Sequence, residues 1–204
     1  MLGSDSFTGN TESPLTTNWS NGTVTGVGDG MKGISNAAGA RTSSAQNVSF
    51  WDAATFEANQ YSQVKILDNT LYPGVMVRHD TTNDDCYFLW VRDVNRIRFQ
   101  NIGGDILLQT WTNAGRYVNN GTLKESVSGN IITVWWDGVS QGTYTDTSNH
   151  ATTGPAGIYS YGISTAVPTL DDWEGGNLSD AAPPAGGSVV ALPVMAFSKF
   201  WSPI

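Results

Sequence analysis

The sequence predicts an all-β chain folded as a two-sheet antiparallel sandwich. Three observations carry this expectation. Apolar and polar residues alternate at period two in one segment after another, and no long helical period occurs. Glycine is frequent, at 23 of 204 residues, and turn dipeptides recur at the spacing expected of strands joined by short loops. Residues that build exposed helices are scarce, with only four Glu and four Lys. The length suits one core; halved, neither piece would hold enough strands to close a sandwich.

Each element follows from its own pattern. Residues 60–67 set Val64 and Ile66 on one face and Tyr61, Gln63 and Lys65 on the other. Residues 73–79 set Val75 and Val77 against Met76 and Arg78. Residues 95–101 give the cleanest alternation, Ile97 and Phe99 against Arg96, Arg98 and Gln100, a half-buried strand with one wet face. Residues 86–91 and 131–136 are apolar on both faces, as expected of strands covered on both sides. The second of these runs into Asp137-Gly138 and then Thr143-Tyr144-Thr145, a hairpin signature. Turns at Asn119-Asn120-Gly121 and Ser128-Gly129-Asn130 bracket a strand over 122–127, and Gly154-Pro155-Ala156-Gly157 introduces one over 158–162. A short helical turn is expected at 51–56, and a long loop with one short strand at 28–46.

Three segments emerge: a sandwich over 1–177, a Pro-, Ala- and Gly-rich linker over 178–188, and an apolar tail over 189–204. The tail has two internal prolines and is too short to span a membrane. It is expected to dock, on its own domain or a neighbour, with Val194, Phe197, Phe200 and Trp201 as anchors.

The net charge is −8, and the only basic concentration is Arg92, Arg96 and Arg98. A nucleic-acid partner, which requires extensive phosphate neutralisation, is not expected. Charged residues make up 14% of the chain, against roughly 25% in an average soluble domain. The single cysteine, Cys86, cannot form an internal disulfide and reads as a small buried hydrophobe. Residues 1–7 carry no basic region followed by an apolar one, so synthesis in a cytoplasm without a secretory signal is expected.

Asp5-Ser6-Phe7, Leu15, Asn18-Trp19 and, at the other end, Leu170-Asp171-Asp172-Trp173-Glu174-Gly175-Gly176 resemble the concanavalin A-like, laminin-G-like jelly rolls of bacteria and their viruses. The stretches Phe56-Glu57-Ala58-Asn59-Gln60-Tyr61-Ser62, Gly74-Val75-Met76-Val77-Arg78 and Tyr87-Phe88-Leu89 fit the same pattern. The resemblance covers about residues 4–177. It implies a jelly roll whose first and last strands lie side by side. Joined to a linker and an apolar tail, such a domain resembles virion components of tailed bacteriophages: capsid decorations, fibres or tail-surface proteins. The partners implied are the major capsid protein, another virion protein or a second copy of the chain.

Hydrolases of this fold, the family-16 glycosidases, carry Glu-x-Asp-x-(x)-Glu on one strand. Glu12, Glu57, Glu125 and Glu174 begin no such motif, and glycosidases need two carboxylates at a set separation. His79 and His150 are the only histidines, and Gly-x-Ser-x-Gly is absent. The chain is therefore expected not to be an enzyme. No cofactor is expected, apart from calcium, for which Asp80, Asn83, Asp84 and Asp85 form an acidic loop. Glycan binding, the alternative function, would use exposed aromatics, with Trp111, Tyr117, Tyr159 and Tyr161 as candidates.

Overall fold

The computed structural model describes residues 1–21, 30–43, 45–82, 85–101, 106–148, 151–162 and 164–178, with backbone only at 27–28, 85, 101 and 162. These residues form two eight-stranded sheets, packed as a jelly-roll sandwich. The first sheet runs, edge to edge, β14 (Val139–Thr145), β13 (Ile131–Trp136), β12 (Thr122–Ser128), β7 (Gln60–Ile66), β16 (Leu170–Asn177), β5 (Ala37–Ala40) and β4 (Met31–Ile34), and β1 (Gly3–Asp5) also pairs with β16. The second runs β11 (Ile106–Thr112), β10 (Arg96–Asn101), β9 (Asp85–Asp93), β8 (Pro73–Asp80), β15 (Gly157–Gly162), β6 (Ala45–Trp51) and β2 (Trp19–Asn21), and β3 (Val27–Gly28) lies parallel to β6.

The expected alternation appears as burial. Val64 and Ile66 of β7, Val75 and Val77 of β8, Ile97 and Phe99 of β10 and Ile158 of β15 all enter the core between the sheets. The Asp137-Gly138 hairpin joins β13 to β14 with φ of 49° and 73° at its two central residues. Both values are positive, as the right-handed strand twist demands of a two-residue turn.

The ends of the sandwich come together as the resemblance implied. In the antiparallel pairing of β1 and β16, Gly3 faces Gly175 and Asp5 faces Trp173. Above them Trp19, Trp51 and Trp173 pack ring against ring, with centroid separations of 4.8–5.3 Å, and Phe7 stacks on Trp19. The two glycines make room for this. A Cβ at Gly3 would lie 2.5 Å from the Trp51 ring, and one at Gly175 would lie 2.6 Å from the Trp173 ring. Asp5 ties the cluster down: one carboxylate oxygen accepts from Trp19 Nε1–H (2.9 Å) and the other from the Phe7 backbone N–H (2.7 Å).

Four expectations are corrected. Residues 51–56 form no helical turn; Trp51 ends β6 and the chain then bends without regular structure. Residues 28–46 hold the hairpin of β4 and β5, whose alanines are small enough to lie buried against β16 and the opposite sheet. In β13 the outer face is not covered, because only β14 lies between it and the sheet edge: Ile131 is exposed and Trp135 half-buried. In β8 the alternation fails at Arg78, where a register shift and a φ of 53° turn the side chain inward.

Arg78 lies buried at one end of the core, donating to the carbonyls of Ala58 (2.9 Å), Gly129 (2.6 Å) and Ala151 (3.4 Å). Around it stand Tyr87, whose hydroxyl donates to Asp146, and Glu125. Neither Glu125 oxygen has a hydrogen-bond partner among the described residues. Burial holds its carboxyl well above the usual carboxylate range, with Arg78 pulling weakly the other way.

Two outcomes are expected. Trp173→Ala should lower stability by roughly 3–5 kcal/mol, as for other buried Trp truncations, read by chemical denaturation. Glu125→Gln should raise the melting temperature at pH 7. A carboxyl whose pKa is raised by folding contributes its stability in acid and loses it as pH rises from the ordinary value of 4.5 toward the folded one. The advantage of Glu125→Gln should therefore vanish below that ordinary value, read by melting both proteins across pH.

Candidate functional site

The second sheet has an outer face, and its composition sets it apart. On strands otherwise buried against the first sheet, the alternate positions Val48, Met76, Cys86, Phe88, Trp90 and Tyr159 form a second buried cluster, with Phe50 and Tyr72 packed against it. The outer face of β9 is thus as apolar as its inner one, which is why Cys86-Tyr87-Phe88-Leu89-Trp90-Val91 shows no alternation. Cys86 is buried there as expected.

A groove of about 260 Å³ lies on this face, lined by Gln46, Tyr72, Trp90, Arg92, Arg98, Gln100, Tyr159 and Tyr161. Strand pairing places these residues. Arg98 lies directly across from Trp90, Gln100 across from Phe88, and Tyr161 across from Gln46. Gly74 sits between Trp90 and Tyr159, directly across from each on its two neighbouring strands. A Cβ on it would lie 2.2 Å from the Leu89 carbonyl, so the floor between the two rings admits only glycine.

Tyr72 enters from outside the strands. It follows the short 3₁₀ turn Asn69–Leu71, which Asp68 caps through the Thr70 N–H (2.9 Å). Its own φ of 51° is left-handed, an uncommon state for tyrosine, and it brings the ring over the sheet. There it meets Trp90 edge-on at 5.2 Å and Tyr161 at 6.0 Å.

Two guanidinium groups lie over these rings. Arg92 Cζ is 4.4 Å from the Tyr72 centroid and 5.9 Å from that of Trp90; Arg98 Cζ is 5.5 Å from Trp90. Trp90 Nε1–H donates to Gln100 Oε1 (2.6 Å), which fixes the indole plane. Among the described residues neither arginine makes an ion pair, and no carboxylate lines the groove. The neighbouring Asp93 is engaged by Arg96 at 2.5 Å.

Of the four predicted aromatics, the groove takes up Tyr159 and Tyr161. Tyr161 is 36% exposed and presents its ring, whereas Tyr159 is 2% exposed and forms the floor, its ring 4.4 Å from Phe88. Trp111 and Tyr117 are not surface groups. Trp111 is 9% exposed and pairs across from the core residue Ile97; Tyr117 is fully buried with its ring edge-on to Trp136. Period-two reading finds the faces of a strand but not which of them meets the other sheet. Tyr72, Trp90, Arg92, Arg98, Gln46 and Gln100 were not predicted as site residues. The signal for part of them was present, in the wet face of 95–101 and in the arginine concentration.

In the acidic loop, Asp80 accepts from the Thr82 N–H (2.9 Å), closing a turn. Asn83, Asp84 and the Asp85 side chain lie outside the described residues, as do Val194, Phe197, Phe200, Trp201 and His150. No group of three His, Cys, Asp or Glu side chains converges among the described residues.

No family model matches the chain, and no curated protein matches it. Solved structures do match its fold. The carbohydrate binding module CBM66 from Bacillus subtilis aligns at a TM-score of 0.54 and 15% identity, over 80% of this chain and 95% of that one. A Bacillus subtilis protein of unknown function with a galectin-like fold aligns at 0.53 and 10%, over 81% and 94%. The Bacillus licheniformis β-glucanase aligns at 0.50 and 11%, over 85% and 95%. The chain thus has the jelly-roll sandwich fold of the concanavalin A-like type.

The packing of Gly74 generates a further expectation. Gly74→Ala should force β8 and β9 apart, lowering stability and displacing Trp90. A fall in melting temperature with a shift in tryptophan emission would register both effects.

Proposed function

We propose that this protein is a non-catalytic glycan-binding module and that the outer face of the second sheet is its binding surface. One observation carries the reading: Tyr72 and Tyr161 present aromatic surface above a floor of Trp90 and Tyr159, in the same groove where Gln46, Arg92, Arg98 and Gln100 present hydrogen-bonding groups. A sugar ring offers an apolar face of C–H groups and a rim of hydroxyls, and this combination answers both. The carbohydrate binding module and the galectin-like protein share the fold, which makes it a scaffold with precedent.

The placement of the carboxylates supports a binding role rather than hydrolysis. Glu125 is in the core, Glu12 accepts from the Thr16 and Thr17 N–H groups, and Glu174 accepts from Tyr61 and Gln63 on the first sheet. None lines the groove, where cleavage would need two acting on one bond. The virion role implied by the sequence resemblance is compatible with a glycan-binding sandwich and rests on residues 189–204. If that tail is an assembly element, a chain ending at Asp180 should lose self-association in light scattering.

A glycan array with and without calcium tests the main reading. Binding to at least one glycan is expected. Tyr161→Ala should weaken it by about tenfold, the scale of one aromatic contact with its buried area. Val139→Ser, on the first sheet, should leave it unchanged. Equal binding by the Tyr161 variant would move the site elsewhere.

A further inference from the structure

The groove is electropositive on an acidic protein. The chain carries a net charge of −8, yet this face presents two arginines and no carboxylate among its lining residues. Half-buried guanidinium groups usually sit against a carboxylate, which recovers the cost of their partial desolvation. Here Arg92 and Arg98 lie against the faces of Tyr72 and Trp90, and the nearby Asp93 carboxylate, which Arg92 also attracts, is held by Arg96. A ring face engages one side of a guanidinium and leaves its N–H edge, with up to five donors, open to a ligand. Gln46 adds a side-chain oxygen that is buried and accepts no hydrogen bond among the described residues.

Resting on the glycan-binding reading above, we propose that the groove selects acidic glycans, with Arg92 and Arg98 grasping an anionic substituent while Tyr72 and Tyr161 hold the sugar rings above the buried Trp90. Both arginines lie over one indole, so the anionic group sits at a single place beside the sugar ring and not along a track. The surrounding −8 charge disfavours a densely charged polyanion, whose outlying charges would face the rest of the surface within the ~8 Å reach of unscreened interaction. The favoured ligand therefore carries isolated anionic groups spaced by neutral sugars. Both carboxylate and sulfate substituents offer oxygens that accept from a guanidinium fork.

The test uses the full chain and oligosaccharides in matched sets: one backbone with a uronate or sialate carboxylate, the same backbone with that carboxylate methyl-esterified, and the same backbone sulfated. Titration calorimetry should show the carboxylate or sulfate member binding about 10- to 100-fold more tightly than the neutral one, the scale of a charged hydrogen-bonded pair. The carboxylate and sulfate arms identify the anion. Arg98→Gln and Arg92→Gln should each erase most of that preference, weakening acidic binding far more than neutral binding. Arg98→Lys, which keeps charge but loses the planar fork, should retain part of it. Melting curves verify the fold of each variant, and added salt should weaken only acidic binding in the parent protein. Equal affinity for acidic and neutral members, unaffected by Arg98→Gln, would overturn the acidic preference and leave the glycan-binding reading standing. Failure of every oligosaccharide to bind would overturn both. Binding of oligodeoxythymidylate through these arginines, without binding of any oligosaccharide, would also overturn both.

Discussion

The sandwich depends on the closure made by β1 and β16 beneath three tryptophans. Trp19 and Trp51 come from the second sheet and Trp173 from the first, so their mutual packing holds the two layers to each other as well as filling the core. Such rings each bury large apolar areas, and their edge-on contacts add to that. The arrangement requires flat backbone beneath it, which Gly3 and Gly175 supply, and a fixed anchor, which Asp5 supplies by accepting from Trp19 and from the Phe7 backbone. With the layers fixed, the register of every other strand follows from which residues reach the shared core.

That register decides the chemistry of the far side. Tyr87, Leu89 and Val91 must face the core, so Cys86, Phe88, Trp90 and Arg92 must face outward. An outer face of this composition is unusual for an antiparallel sheet, which commonly turns a polar surface to water. Here aromatic rings cover one another, and arginine side chains lie over the rings. The result is a half-covered surface with ordered polar groups.

The core end near Arg78 shows a different compromise. Arg78 spends its donors on three loop carbonyls, tying together segments near residues 58, 129 and 151, while Glu125 stays buried without a hydrogen bond among the described residues. Carbonyls satisfy a guanidinium's geometry but do not neutralise it, and burial keeps the nearby Glu125 carboxyl from ionising readily to do so. This end of the sandwich links the three loops through charge, while the opposite closure relies on aromatic packing.

The all-β class, the two faces of the strands over 60–67 and 95–101 and the Asp137-Gly138 hairpin were legible in the pattern of residues, and the adjacency of the first and last strands only through the family resemblance. The first three are local, set by side-chain period and by turn residues needing positive φ, whereas the pairing of β1 with β16 joins opposite ends of the chain. Of the four aromatics the sequence offered, Tyr159 and Tyr161 line the outer groove while Trp111 and Tyr117 are buried, because alternation distinguishes two faces without saying which one meets the opposing sheet. Only the tertiary structure decided that Ile97 and Trp111 face inward together, that a bulge turns Arg78 into the core, and that a left-handed Tyr72 reaches Trp90 and Arg92 across the sheet. These are contacts between residues set apart in the chain, and they exist only once pairing and layer stacking bring those residues together.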